Sequence, residues 1–316
     1  MSDSTLLAEL TPTVERLLER HLASTREWFP HELVPWSRGR DFEPGEEFDP
    51  DEFPLPDAVR SALFVNLLTE DNLPYYFDTI ERAFASREVE AWSVWARRWT
   101  AEEMRHAIVI RDWLLVTRAL DPIALERARM AQVASGLVPH PGSVADALVY
   151  VTLQELATQI AHRNTGRLLG DKPGSKVMAQ VAGDERLHHL FYRDLSKAAF
   201  EIAPSEMMLA LERQVRGFAM PGLEGIPDFE THAIRIAAAG IYDFVAHHDH
   251  ILVPVVLEEW GVASIEGIDG EAEEARARTI KHIDRVGRAA RRLERHRSED
   301  AASAESADEG PTAIAV

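Results

Sequence analysis

Two Glu-x-x-His units carry the strongest chemical signal in the chain: Glu103-Met104-Arg105-His106 and Glu185-Arg186-Leu187-His188. On an α-helix, residues i and i+3 share a face and lie about 4.5 Å apart along the axis. A carboxylate and an imidazole placed so can reach the same metal ion. One such unit is a weak signal, because Glu and His are common on solvent faces. Here each unit follows a further glutamate, Glu70 lying 33 residues before Glu103 and Glu155 lying 30 before Glu185. The chain thus carries Glu…ExxH twice, the ligand set of a carboxylate-bridged di-metal site in a four-helix bundle. Glu155 is embedded in LVYVTLQELATQIAH, and an acid in apolar surroundings is almost never buried without a partner. Four exposed acids and two surface histidines in coincidental register form the bland alternative, which ranks second.

The candidate ligands are therefore Glu70, Glu103, His106, Glu155, Glu185 and His188. Four carboxylates brought together repel and do not ionise together without compensating charge. Two divalent cations supply it. The chain has no cysteine, which excludes disulfides, thiolate-held zinc, thiolate-held iron–sulfur clusters and a cysteine nucleophile. Oxygen and nitrogen donors suit iron or manganese, and iron is the usual choice for activating O₂. A ligating histidine needs its other ring nitrogen held; Asp184, beside Glu185, and Glu102, beside Glu103, are placed for that task.

The elements that must position these residues read as helix after helix. Leu6, Leu7, Leu10, Val14, Leu17 and Leu18 make the first stretch amphipathic. Helical patterns follow at about 57–69, 71–86, 88–118, 121–135, 143–170, 173–201, 204–218, 228–260 and 271–297. From Pro30 to Pro56 the chain carries six prolines and reads as an extended arm or loop. No alternating strand pattern and no phosphate-binding glycine loop is present. The fold class is all-α, a bundle of long helices. Residues 1–297 are expected to form a single domain, with the arm at about 25–56, and the acidic tail 298–316 is expected to be disordered. The chain has 316 residues and a net charge of −19, which argues against nucleic-acid binding. No signal peptide and no apolar run of membrane-spanning length is evident, so a soluble, cytoplasmic protein is expected.

At the level of motifs the sequence resembles the soluble acyl-acyl-carrier-protein desaturases, in particular the bacterial relatives of the plant stearoyl enzymes. The matching segments are LLTEDNLPYYFDTI with Glu70, EEMRH at 102–106, LQELATQIAHRNTGR with Glu155, and DERLHH at 184–189. The opening REWFPHELVPWSRGRDF is similar to that family's N-terminal arm, and RVGRAARRLERH to its last basic helix. The resemblance spans roughly 10–297. It implies a ferritin-like four-helix bundle extended by additional helices, a di-iron centre of two Fe ions per chain (manganese being the variant), and a homodimer. It also implies O₂-dependent insertion of a cis double bond, in fatty acid biosynthesis, into an acyl chain on acyl carrier protein, with electrons from a ferredoxin-type donor. Thr158 matches the family's threonine near the oxygen site, and Asp184 the acid that supports a ligand histidine in a chain with Trp28. Leu156 and Leu187 stand where plant enzymes have arginine, which leaves chain length and double-bond position open.

Other readings stay beside this one. A related di-iron or manganese oxidase or hydroxylase on a carrier-bound acid would share the ligands, and a ferritin-like iron-binding protein or a metal-free structural bundle ranks lower. His247, His248 and His250 read as surface or subunit-contact residues, since neighbours on a helix point apart. Trp92, Trp95 and Trp99 read as core packing, Tyr192 as a packed or hydrogen-bonded tyrosine, and His189 as no seventh ligand. From Arg276 to Arg297 nine Lys/Arg face two acids; this positive helix reads as a docking face for acidic acyl carrier protein.

Overall fold

In the computed structural model, residues 1–84, 90–221 and 225–308 are described, with side chains through Glu299. Every regular element among them is helical. Four long helices form the bundle: α3 (Asp57–Glu70), α5 (Glu90–Thr117), α7 (Val144–Leu168) and α8 (Lys172–Ile202). Helix α3 packs on α5 and α7, and α8 packs on α5 and α7, which closes the ring. Around it lie α1 (Asp3–Ser24) against α8 and α5, α4 (Leu73–Phe84) against α5 and α7, and α6 (Pro122–Ser135) against α3. Beyond these come α9 (Pro204–Gly217), α10 (Phe229–Ala238), the single turn α11 (Phe244–His247) and the long α12 (Gly270–Asp308).

Local chemistry fixes the bundle helices. Ser143 caps α7 by accepting from the Asp146 N–H at 3.1 Å. Asp171 caps α8 by accepting from the Gly174 N–H at 2.9 Å, with Pro173 in the first turn. At the α7–α8 turn the backbones approach closely: a Cβ on Gly174 would lie 2.6 Å from the Trp113 ring, and one on Gly166 2.8 Å from Met178 Cβ.

The core is divided. One apolar cluster takes Trp92, Trp95 and Trp99 from α5 and Phe191, Tyr192, Leu195 and Ala199 from α8. The other takes Val109, Ile110, Trp113 and Leu114 from α5 and Val177, Met178 and Val181 from α8. Between them each helix presents polar residues: Glu102, Glu103 and His106 on α5, Asp184, Glu185 and His188 on α8, all buried. The candidate site is thus a polar layer walled by hydrocarbon on both sides.

Three boundaries differ from the sequence reading. The single helix expected over 228–260 ends at Ala238. Gly240 turns left-handed (φ +68°), Asp243 caps a new turn through the Ala246 N–H, and the chain resumes as a π-helical stretch His248–Glu259 that contains Pro254. The proline-rich arm contains a helical turn α2 (Pro30–Leu33) and a 3₁₀ turn Trp36–Arg38, and it buries Trp28, Val34 and Leu55 against the bundle. Helix α12 runs on past the end of the helical pattern read at 271–297, to Asp308; residues 309–316 of the tail lie outside the described residues, as do 85–89 between the two early helical patterns.

Candidate metal centre

All six sequence-predicted residues converge. Glu70 ends α3, Glu103 and His106 lie mid-α5, Glu155 lies on α7, and Glu185 and His188 lie on α8. Their donor atoms form two groups, Glu70–Glu103–His106–Glu185 and Glu103–Glu155–Glu185–His188, and within each group the atoms lie within 4.8 Å of one another. Glu103 and Glu185 belong to both. Two four-residue groups sharing a pair of carboxylates is the arrangement in which two cations sit side by side with bridging acids. His106 Nδ1 lies 3.4 Å from both Glu103 Oε2 and Glu185 Oε1, and His188 Nδ1 lies 2.8 Å from Glu103 Oε1 and 3.6 Å from Glu155 Oε2.

The donor set fits a metal pair on an observation independent of spacing. Glu103 Oε1, His106 Nδ1, Glu155 Oε2, Glu185 Oε2 and His188 Nδ1 are buried atoms that make no well-aligned hydrogen bond, the 2.8 Å approach of His188 Nδ1 to Glu103 Oε1 included. Buried polar atoms are normally satisfied, and these five lie in the two groups just described. All donors are carboxylate oxygen or imidazole nitrogen, the set that iron and manganese accept.

The remaining atoms are held from outside. Trp99 Nε1–H donates to Glu155 Oε1 at 3.0 Å, and His162 Nε2 meets Glu70 Oε1 at 2.9 Å while Asn66 donates to its Nδ1 at 3.2 Å. His106 Nε2 faces Asp184 Oδ2 at 3.5 Å, and His188 Nε2 meets Glu102 Oε2 at 3.0 Å. The outer acids are therefore crossed: the α5 histidine leans on an α8 acid, and the α8 histidine on an α5 acid. Asp184 Oδ2 also accepts from Trp28 Nε1–H at 2.9 Å and from Arg105 at 3.0 Å. The sequence placed Asp184 beside Trp28 and an unspecified ligand histidine; the structure sets it against Trp28 and His106, whereas His21 and His162 were not singled out by the sequence.

Electrostatics follow from this packing. Burial works against charge on His106 and His188, yet the facing carboxylates outweigh it and hold both imidazoles well above their ordinary pKa. Burial would raise Glu103, but His106 and His188 hold it well below the carboxylate range; Glu102 is held down against burial by His188 and His21. Glu185 goes the other way, pushed well above its ordinary value by burial and by the charges of Glu103 and Glu155. Without cations, the cluster balances its own charge with protons.

A narrow cavity of about 60 Å³ opens beside the cluster, lined by Glu70, Glu103, Glu185, Tyr76, Ile80, Phe84, Val151 and Thr158 among others. Its walls are predominantly apolar, and it runs along α4, α5 and α7. Thr158 lies on the wall with its hydroxyl donating to the Gln154 carbonyl at 3.0 Å and accepting from Gln154 Nε2 at 2.8 Å. The remaining singled-out residues are structural. His189 contacts the Thr152 carbonyl at 2.9 Å and is pushed down to about 4 by burial; Tyr192 accepts from Trp95 at 2.9 Å. His248 pairs with its neighbour Asp249, and His247 with Tyr242; no metal-holding group among the described residues includes any of the 247–250 histidines. No helix among the described residues is long and apolar enough to cross a membrane.

Comparison with known proteins agrees. A family model described as fatty acid desaturase matches residues 2–308. DesA1 of Mycobacterium tuberculosis, named as an acyl-[acyl-carrier-protein] desaturase, is 42 % identical over 286 residues, covering 87 % of this chain and 83 % of that one. A chloroplastic stearoyl-[acyl-carrier-protein] 9-desaturase of Gossypium hirsutum is 29 % identical over 238 residues, covering 70 % of this chain and 59 % of its own length. The X-ray structure of DesA2 of M. tuberculosis superposes with a TM-score of 0.69 at 26 % identity, covering 86 % of this chain and 99 % of that one.

Proposed function

The chain belongs to the fatty acid desaturase family, and from that premise we propose that it is an O₂-dependent acyl-[acyl-carrier-protein] desaturase placing a cis double bond in a carrier-bound acyl chain. One observation carries the reading: two buried four-residue groups share Glu103 and Glu185 at the wall of an apolar cavity. In this reading Glu70, His106, Glu103 and Glu185 hold one ion, and Glu155, His188 and the same shared pair hold the other. Two iron ions bound there supply the redox chemistry that activates O₂, with manganese as the variant.

The protein's own part is positioning and exclusion. The hydrocarbon walls take the acyl chain and keep water from it. Trp99 and His162 fix the outer oxygens of Glu155 and Glu70, so that each terminal glutamate offers its other oxygen inward. Asp184 and Glu102 fix the outer nitrogens of the two histidines. Thr158 lines the same cavity as the shared acids Glu103 and Glu185. In the net reaction two adjacent methylenes each lose a hydrogen, and O₂ becomes two waters with two electrons from a ferredoxin-type donor and two protons from solvent. The carrier is an acidic protein. Exposed Lys281, Arg285 and Arg288 on α12 border a surface cleft with Arg216 of α9, a cationic face on a chain of net charge −19 suited to receiving it. A homodimer completes the reading by family resemblance.

The test is metal content of the purified chain, followed by aerobic turnover with reductant, ferredoxin and a panel of acyl carrier protein thioesters. About two irons per chain and a product lighter by two hydrogens are expected. A product heavier by one oxygen would move the assignment to a hydroxylase, and iron loading far above two per chain to a storage protein.

A further inference from the structure

The acids behind the two inner histidines are held by different means. Asp184 is held by Trp28 and Arg105. Glu102 is held by Arg98, whose Nη2 lies 2.5 Å from Oε1, and by His21, whose Nε2 meets Oε2 at 2.8 Å. His21 comes from the last turn of α1, a helix outside the four that carry the cluster. It is 4 % exposed, its ring standing edge-on to Trp95 (86°, 5.0 Å between centroids) and stacked beside His188 at 5.8 Å.

We propose that His21 is a positioning residue for the metal centre: acting through Glu102, it fixes His188 Nε2 as the outward nitrogen and leaves Nδ1 to the inner group. The proposal rests on the reading that the cluster holds metal. Its physical basis is the sharing of one oxygen. Glu102 Oε2 takes both His21 and His188, so the first contact sets where the second must lie. Without His21 the carboxylate would be held from outside the cluster by Arg98 alone, a flexible side chain 36 % exposed. His21, Glu102 and His188 also lie close enough together to hold an ion themselves. The Arg98 cation already paired with Glu102 opposes that use, because it would sit beside any cation bound there.

The experiment is titration of the full-length, metal-free chain with Co²⁺, followed by calorimetry and visible absorption, on wild type, His21→Phe, His21→Gln and Glu102→Gln. Phe keeps the ring volume against Trp95 and removes the donor; Gln keeps a donor. Wild type is expected to bind two ions. His21→Phe should bind one of them about tenfold more weakly or worse, the usual cost of losing support behind a ligand, with a changed visible band. His21→Gln should stay within about threefold of wild type, since the donor survives. Wild-type binding by His21→Phe overturns the proposal. Equal losses in His21→Phe and His21→Gln also overturn it, since they mark a packing role. So does a third ion in wild type that His21→Phe loses. If His21→Phe does not fold, Glu102→Gln decides: it should show the same weakening, and wild-type affinity there refutes the role. A wild-type chain that takes up no ion overturns the metal reading itself, and no arm of the titration depends on acyl substrate.

Discussion

Loading the metal-free chain with divalent ions should release protons, and the structure says roughly how many. His106 and His188 are both held well above their ordinary pKa, so each carries a proton at pH 7. Glu185 is held well above the carboxylate range and is the third candidate. An imidazole must give up the proton on its donor nitrogen to bind a metal, and a carboxylate must be ionised. Filling both positions at pH 7 should therefore release about two to three protons per chain. By linkage, the product of the two association constants should rise about 10²–10³-fold per pH unit near neutrality. Calorimetric titrations in buffers of different ionisation enthalpy read the proton count directly, and a pH series reads the slope. Release of fewer than about one proton would overturn this expectation, because the imidazoles would then be neutral in the metal-free cluster and something else would balance the acids. The same groups set the stability of the metal-free chain. The raised imidazoles stabilise it below about pH 6.5, and that contribution is lost as pH rises through their folded pKa values. The depressed Glu102 and Glu103 stabilise it above about pH 4.5, and that contribution is lost as pH falls. Glu185, raised above the carboxylate range, adds a contribution that is lost as pH rises above about 4.5, so unfolding midpoints of the metal-free chain should be highest near about pH 4.5 and decline above it, and loading should remove that decline.

Glu155→Ala and His188→Ala should each leave a folded bundle with reduced metal content and no turnover, checked by circular dichroism, elemental analysis and product assay; full activity in either would displace the site. In Glu155→Ala the metal-free chain should unfold no earlier than wild type, since one of the mutually repelling acids is gone. Reversing charge at Arg288 and Arg292 should raise the apparent KM for the acyl-carrier substrate and flatten its dependence on salt; an unchanged KM across salt concentrations would discard the α12 docking face. Gly174→Ala should cost about 1–3 kcal/mol in chemical denaturation, because the added methyl meets the buried Trp113 ring.

The inner residues of the site were legible because their signal is local. A Glu and a His three apart on a helix declare a shared face, and the second copy makes chance a poor account. The residues behind them were less legible. His21 reaches an acid 81 positions away and His162 one 92 positions away, so no short spacing marks either. Weaker signs existed. His21 continues the buried stripe of Leu10, Val14 and Leu17, where a polar residue needs a partner, and His162 follows Glu155 by two helical turns on the same face. Glu102 and Asp184 were expected to support histidines, but their crossing between helices is a property of the packed bundle. In the fold, long amphipathic runs announced the bundle helices, whereas the break inside 228–260 turned on Gly240 adopting a left-handed turn and Asp243 starting a new cap.

The crossed outer acids have a mechanical consequence. Because Glu102 travels with α5 and grips a histidine of α8, while Asp184 travels with α8 and grips a histidine of α5, the two helices are latched twice in opposite senses. A slide of one past the other by a single turn would unfasten both latches together and leave both buried imidazoles without their outer partners. There is no partly engaged register in which one half of the centre stays intact. The polar layer thus works as an alignment key for the bundle, admitting one relative height of α5 and α8 where hydrocarbon packing alone would tolerate several.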